Sequence, residues 1–178
     1  MFRTVKLKDS VGLVLAHDVT EVRKGEFKGR AFKKGHVVRE KDLCHLQRLG
    51  KQRLFVLEIE DGSMHENDAS IALADALCGE GVVRETEPRE GKLNLMADRD
   101  GLLKVAVKPL TQFNMLGEVM CASRHTNSLV KKGEIVAGTR AIPLVVNTDV
   151  VLKAVALAQA RNGIFRVVSL LKAKTGLV

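Results

Sequence analysis

The chain has 178 residues, which is enough for one domain or two small ones. Hydrophobic residues make up 46% and charged residues 28%, so the composition is that of a globular protein and excludes a disordered one. The net charge of +8 favours an anionic partner, but the absence of Trp and Tyr removes most stacking platforms for single-stranded nucleic acid.

The first third of the chain predicts a strand–helix–strand unit. Runs rich in Val and Leu predict short strands at residues 4–8, 11–16, 35–38 and 54–59. Residues 40–49 predict a helix with one stripe of leucines, which Gly50 can end. An acidic turn follows the last of these strands, so we expect a first unit at residues 1–62.

Residues 63–163 are expected to form a β-rich domain. Short apolar runs separated by turns predict a small barrel or a sandwich, with strands in segments 82–86, 92–97, 101–107, 117–123 and 133–146. Flanking helices are predicted near 67–77, capped by Asn67 or Asp68, and near 149–161. Residues 164–178 predict further strands that belong to neither unit. The predicted fold class is α+β and β-rich.

A basic stretch is the first candidate site. Its cations are Lys28, Arg30, Lys33 and His36, and glycines at 25, 29 and 35 can turn the backbone sharply and expose N–H groups. Lys and Arg attract anions without needing a rigid pocket, so we expect an anion-binding loop here. The alternative interpretation is a solvated basic turn.

The second candidate site lies between two predicted strands, at residues 123–133. Arg124, His125 and Lys131 could hold an anion or the polar edge of a pterin-like ring. The alternative is a polar connection in which Asn127 and Gly133 serve turn geometry.

Sequence motifs for catalysis and metal binding are absent. The chain has no H-E-x-x-H, G-x-S-x-G, Walker or G-x-G-x-x-G pattern, so we expect no catalytic and no metal-binding residues. A thiol enzyme that uses Cys44 with His45, or Cys121 with His125, stays open, because such partners meet in space rather than in sequence. The third cysteine, Cys78, has no assigned role.

The cysteine count and the N-terminus bear on location. Three widely spaced cysteines without a C-x-x-C pair predict reduced thiols. The start M-F-R-T-V-K-L-K-D lacks a signal peptide, and no segment reaches the ~18 apolar residues of a membrane span. We therefore expect a cytoplasmic protein that has no membrane partner.

Three segments occur in the order known from one family. They are V-G-L-V-L-A-H-D-V-T-E-V, G-H-V-V-R-E-K-D-L-C-H-L-Q-R-L-G-K-Q-R-L-F-V-L and H-T-N-S-L-V-K-K-G-E-I-V-A-G-T-R-A-I-P-L-V-V. Together they resemble the non-catalytic part of molybdopterin-binding proteins related to the molybdopterin molybdotransferases of molybdenum-cofactor biosynthesis. The proline-rich substrate segment of molybdotransferases is replaced here by R-K-G-E-F-K-G-R-A-F-K-K-G, so its residues cannot be transferred.

The resemblance implies a region that is not catalytic by itself, frames a molybdopterin cleft and supports a homodimer. In similar proteins the final K-T-G-L-V begins an α/β domain, so we expect the N-terminal region of a truncated, longer protein. The cofactor would then meet the two candidate clusters, Lys28, Arg30, Lys33 and His36 first, and Arg124, His125 and Lys131 second. A basic nucleic-acid-binding or regulatory module is the alternative that the charge supports.

Overall fold

The structure is a computed structural model that describes residues 2–23 and 27–171. The fold is mixed α+β with 37% strand and 27% helix, which confirms the predicted class. No sheet in these residues closes into a barrel. The chain divides into two compact units, unit 1 at Met1–Asp61 and unit 2 at Gly62–Val178. Within the described ranges, no helix is long and apolar enough to cross a membrane.

Unit 1 is built from short antiparallel strands and one helix. Its elements are β1 (Phe2–Lys6), β2 (Val14–Leu15), β3 (Val19–Arg23), β4 (Phe27–Phe32), α1 (Glu40–Arg48) and β5 (Arg53–Leu57). The strand order β1-β5-β2 forms one sheet, and β3 pairs with β4 as a separate hairpin. Leu46 of α1 and Val56 of β5 are fully buried in a common core, so the helix packs on this unit through its leucine side.

The first half of the basic stretch is a strand where a loop was predicted, so the prediction is wrong for residues 27–32, while Lys33 and His36 lie in the turn region that follows. Lys28 and Arg30 lie on β4, and Gly29 sits opposite Glu21 within the hairpin. Pairing is favoured because β3 is rich in β-branched residues and Phe32 enters the core. Gly35 does take a left-handed φ of 85°, whereas Gly25 lies outside the described residues.

Two other strands of unit 1 are shorter than predicted. The strand predicted at residues 11–16 is reduced to β2, because Gly12 takes a φ of 84° just before it. In the strand predicted at residues 35–38, Val37 makes only an isolated bridge to Val14. After β1 the chain enters a 3-10 turn at Leu7–Asp9, which ends the first predicted strand early.

Unit 2 holds three sheets and three helices among the described residues. Its elements are β6 (Ser63–His65), α2 (Glu66–Leu77), β7 (Val82–Arg84), β8 (Lys92–Ala97), β9 (Gly101–Val105), α3 (Val107–Asn114), β10 (Val119–Ser123), β11 (Leu129–Val130), β12 (Ile135–Ala141), β13 (Val145–Asn147), α4 (Thr148–Gln159) and β14 (Phe165–Val168). The strand orders are β10-β12-β8-β7, β11-β9-β14 and β13-β6. The core joins α2 to the largest sheet, with Leu73 and Leu93 fully buried.

Several details of unit 2 differ from the predictions. Residues 165–168, which were predicted to belong to neither unit, form β14 and pair with β9 inside unit 2. Helix α2 begins one residue earlier than expected. Its capping residue is His65, whose ring accepts a hydrogen bond from the N–H of Asn67, whereas Asn67 or Asp68 was the predicted cap. Helix α3 was not predicted at all; Pro109 falls in its first turn, where a missing N–H costs little, and Phe113 anchors it in the core. The strand predicted at 133–146 is divided between β12 and β13 around Pro143.

Candidate functional site

Asp18 offsets much of the charge of the first predicted cluster. The N–H of Lys34 donates to its carboxylate at 2.7 Å, and the guanidinium of Arg30 donates to the other oxygen at 3.1 Å. The hydrogen bond from Lys34, together with the charge of Arg30, holds the pKa of Asp18 below its ordinary value. An incoming anion would therefore have to compete with an acid that is already in place.

His36 belongs to the start of helix α1. Its Nε2 lies 2.7 Å from a carboxylate oxygen of Asp42, which also accepts the N–H of Arg39 at 2.9 Å. Phe32 packs against the His36 ring with centroids 5.1 Å apart. The role of His36 in the structure is therefore to anchor the helix. The other three cations of this cluster, Lys28, Arg30 and Lys33, are exposed.

An acid also binds a cation of the second predicted cluster. Arg124 donates to Glu134 at 2.6 Å, and this hydrogen bond holds the pKa of Glu134 below its ordinary value, with a further contribution from the backbone of Lys131. Asn127 takes a φ of 66°, as a tight turn requires, while His125 is exposed. The structure thus brings Arg124 and Lys131 to one carboxylate rather than to an open site.

The cysteines do not form the pairs that a thiol enzyme needs. Burial raises the pKa of the Cys121 thiol to about 12 and that of Cys78 to about 11, so neither forms a thiolate readily. His45 lies 3.2 Å from a carboxylate oxygen of Glu21, and no hydrogen bond joins it to Cys44 in the described part of the chain. No group of three or more metal-ligating side chains is found there either.

A groove in unit 1 is lined by four cations, none of which is paired with an acid among the described residues. This basic groove has a volume of about 560 Å³ and lies where β1, α1 and β5 meet. Its lining residues are Lys6, Leu7, Lys8, Leu43, Gln47, Lys51, Gln52 and Arg53. The antiparallel register places Lys6 directly opposite Arg53, so two like charges face each other across the sheet.

The electrostatics of the basic groove favour an anion. No carboxylate lines it, and none of its four cations forms an ion pair within the residues that the structure describes. Leu7 and Leu43 supply apolar surface, while the amides of Gln47 and Gln52 can donate and accept hydrogen bonds. Small-molecule pockets typically measure roughly 300–1,000 Å³, so the groove can take a small anionic ligand.

The basic groove was missed because its cations come from distant parts of the chain. Lys6 and Lys8 lie at the start, and Lys51 and Arg53 follow helix α1. Only the pairing of β1 with β5 brings the two pairs together. The sequence does hold one signal for the groove. Two cations stand two residues apart at the end of the strand predicted at residues 4–8, and two more stand two residues apart just before the strand predicted at residues 54–59.

Comparison with known proteins adds one match. A family model described as "Domain of unknown function (DUF8806)" matches residues 4–58. The match covers less than half of the chain and includes every residue of the basic groove. No curated protein and no solved structure matches the chain.

Proposed function

We propose that the chain is the non-catalytic N-terminal region of a cytoplasmic molybdopterin-binding protein linked to molybdenum-cofactor biosynthesis, and that its basic groove contacts the cofactor. The ordered resemblance of three segments supports the family. The observation that carries the ligand site is the set of four unmatched cations around one groove. A catalytic role draws no support from the described residues, where the buried thiols have raised pKa values.

The chemistry of the groove suits a phosphate-bearing pterin. A phosphate group carries about two negative charges near neutral pH, which Lys6 and Arg53 can offset from opposite strands. A flat ring can lie on Leu7 and Leu43 and direct its polar edge at the amides. The proposal therefore moves the ligand away from the predicted clusters, in which Arg30, His36 and Arg124 each bind an acid.

A titration of molybdopterin into the chain tests the proposal. We expect Lys6→Gln combined with Arg53→Gln to weaken binding about tenfold, since each lost charge contact is worth roughly 0.5–1 kcal/mol at an exposed site. The matched control is Lys28→Gln, which removes an exposed cation of the same unit outside the groove. Equal weakening by the control, or no binding by any form, would show that the groove is not the site.

Nucleic-acid binding is the second candidate, because the same four cations can face phosphates of a polymer. Such binding falls steeply with salt, since each neutralised phosphate releases counterions. Gel shifts with duplex DNA and RNA at several salt concentrations separate the two functions. Salt-sensitive binding that Lys6→Gln weakens would support this second function over the first.

The homodimer that the resemblance implies belongs to the same proposal. Sedimentation equilibrium of the chain measures it directly. A monomer at all concentrations would leave the basic groove intact as a ligand site and remove the dimer from the proposal.

A further inference from the structure

A cavity in unit 2 collects three cations that the predicted clusters do not include. Its volume is about 220 Å³, and Lys104, Arg161 and Arg166 line it together with Val105, Ala106, Gly163 and Ile164. Lys104 lies on β9, Arg166 on β14 and Arg161 in the turn after α4. We call it the β9–β14 cavity.

The strand register forces two of these cations together. Arg166 is the direct antiparallel partner of Lys104, and directly opposed residues have Cβ atoms roughly 5 Å apart. Like charges in that position destabilise a sheet unless something neutralises them. Arg166, Lys104 and Arg161 form no ion pair with any acid in the ranges that the structure describes.

Hydrogen bonds at the cavity hold one of its cations and two of its walls. The ammonium of Lys104 donates to the side-chain oxygen of Asn127 at 2.7 Å, which directs the lysine without removing its charge. The N–H of Ala106 donates to the carbonyl of Ile164 at 3.0 Å, which joins two walls of the cavity. The result is a small recess that combines an apolar wall with three cations that no acid neutralises among the described residues.

We propose that the β9–β14 cavity binds a phosphate group, either free or as the end of a small phosphate monoester. Guanidinium donors match the oxygens of a tetrahedral dianion, and the lysine adds a point charge from the facing strand. About 220 Å³ accommodates the phosphate group itself, so the rest of a monoester would extend outwards. This site lies in unit 2 and does not depend on the function proposed for the basic groove.

Thermal unfolding of the whole chain tests the site with inorganic phosphate, ribose 5-phosphate and ribose at matched ionic strength. We expect phosphate and ribose 5-phosphate to raise the Tm saturably, with Arg166→Gln weakening the apparent Kd at least tenfold. Lys153→Gln, an exposed cation on α4 outside the cavity, is the matched control and should leave the response unchanged. Without phosphate, Arg166→Gln should be no less stable than the parent chain, because it removes a like-charge pair.

The probes distinguish the two sources of the phosphate group. A response to both identifies the shared group as the ligand, whereas a response to only one identifies that source. An equal rise of the Tm in all variants overturns the proposal, since phosphate also stabilises proteins by exclusion from their surfaces. If Arg166→Gln does not fold, Lys104→Gln tests the same charge from the facing strand.

Discussion

Removing the carboxylate of Asp42 tests how unit 1 holds the helix that lines the basic groove. Asp42 accepts the N–H of Arg39 at 2.9 Å and lies 2.7 Å from His36 Nε2. Helix α1 supplies Leu43 and Gln47 to the groove, so its N-terminal anchor is coupled to the site. The substitution Asp42→Ala deletes both interactions and introduces no new polar group.

The structure allows the size of the effect to be worked out. The side chain of Asp42 is 11% exposed, so solvent screens its contacts only weakly. Loss of a helix-capping acceptor costs about 0.5–2 kcal/mol, and loss of one hydrogen bond to a charged group about 1.5–3 kcal/mol. These terms overlap because one carboxylate oxygen makes both contacts. We therefore expect Asp42→Ala to lower the free energy of unfolding by about 2–3 kcal/mol.

The effect of Asp42→Ala should depend on pH in a defined direction. Burial alone would raise the pKa of Asp42, but the hydrogen bonds from His36 and Arg39 outweigh it and hold the pKa below 3.8. A lowered pKa in the folded state stabilises the protein above the ordinary value and loses that contribution as the pH falls through the folded pKa. The difference between Asp42→Ala and the parent chain should thus be full near pH 6 and shrink below about pH 4.

Urea denaturation followed by circular dichroism measures both quantities, since the chain has no Trp or Tyr for fluorescence. Asp9→Ala is the control, because Asp9 is an exposed acid of the same unit. We expect this control to cost less than about 0.5 kcal/mol. An Asp42→Ala cost as small as that of the control would refute the anchoring role, and so would a difference that does not shrink as the pH falls below 3.8.

Two further predictions concern unit 2. Iodoacetamide should alkylate Cys121 at pH 8 at least ~100-fold more slowly than the exposed Cys44, because burial raises the pKa of the Cys121 thiol to about 12. Peptide mass spectrometry measures both rates, and equal rates would contradict the burial of Cys121. Gly163→Ala should lower the free energy of unfolding by at least about 2 kcal/mol, because φ is 97° and a Cβ would collide with the backbone of Gly79. Gly133→Ala, with φ of 84° and nothing within 4 Å, should cost only about 1 kcal/mol in the same urea titration.

The elements that could be predicted from sequence are those in which hydrophobic residues recur at one regular spacing, every second residue in a strand or every third to fourth in a helix. The segment predicted at 92–97 is β8, because alternate residues such as Leu93 and Leu95 are fully buried. Helix α1 lies within one residue of its prediction for the same reason. Helix α3 was missed because Val105 and Val107 continue the apolar pattern of β9 into the turn, and the buried anchor Phe113 comes only near the end of the helix.

The candidate sites were harder to predict, because density of charge along the chain is a poor guide to charge in space. Arg30, His36 and Arg124 stand out in sequence, yet each has an acid that the fold brings to it. Asp18 lies 12 residues from Arg30 and Glu134 lies 10 residues from Arg124, so each acid is near its cation in the sequence as well. A count of cations in these segments does not show which acids the fold places against them.

Strand register explains where unmatched charge remains. The described strands oppose two cations directly in three places, Lys6 with Arg53 in unit 1, and Lys104 with Arg166 and Lys92 with Arg140 in unit 2. Such pairs weaken a sheet when they stand alone, so a protein that keeps them bears a cost in the free state. A bound anion relieves the repulsion between the two cations, and this relief adds to the binding free energy. The cations also need little ordering when the ligand binds, because the strand pairing already holds them side by side. The like-charge pairs that line the basic groove and the β9–β14 cavity are therefore the positions at which substitution should weaken ligand binding but stabilise the free protein.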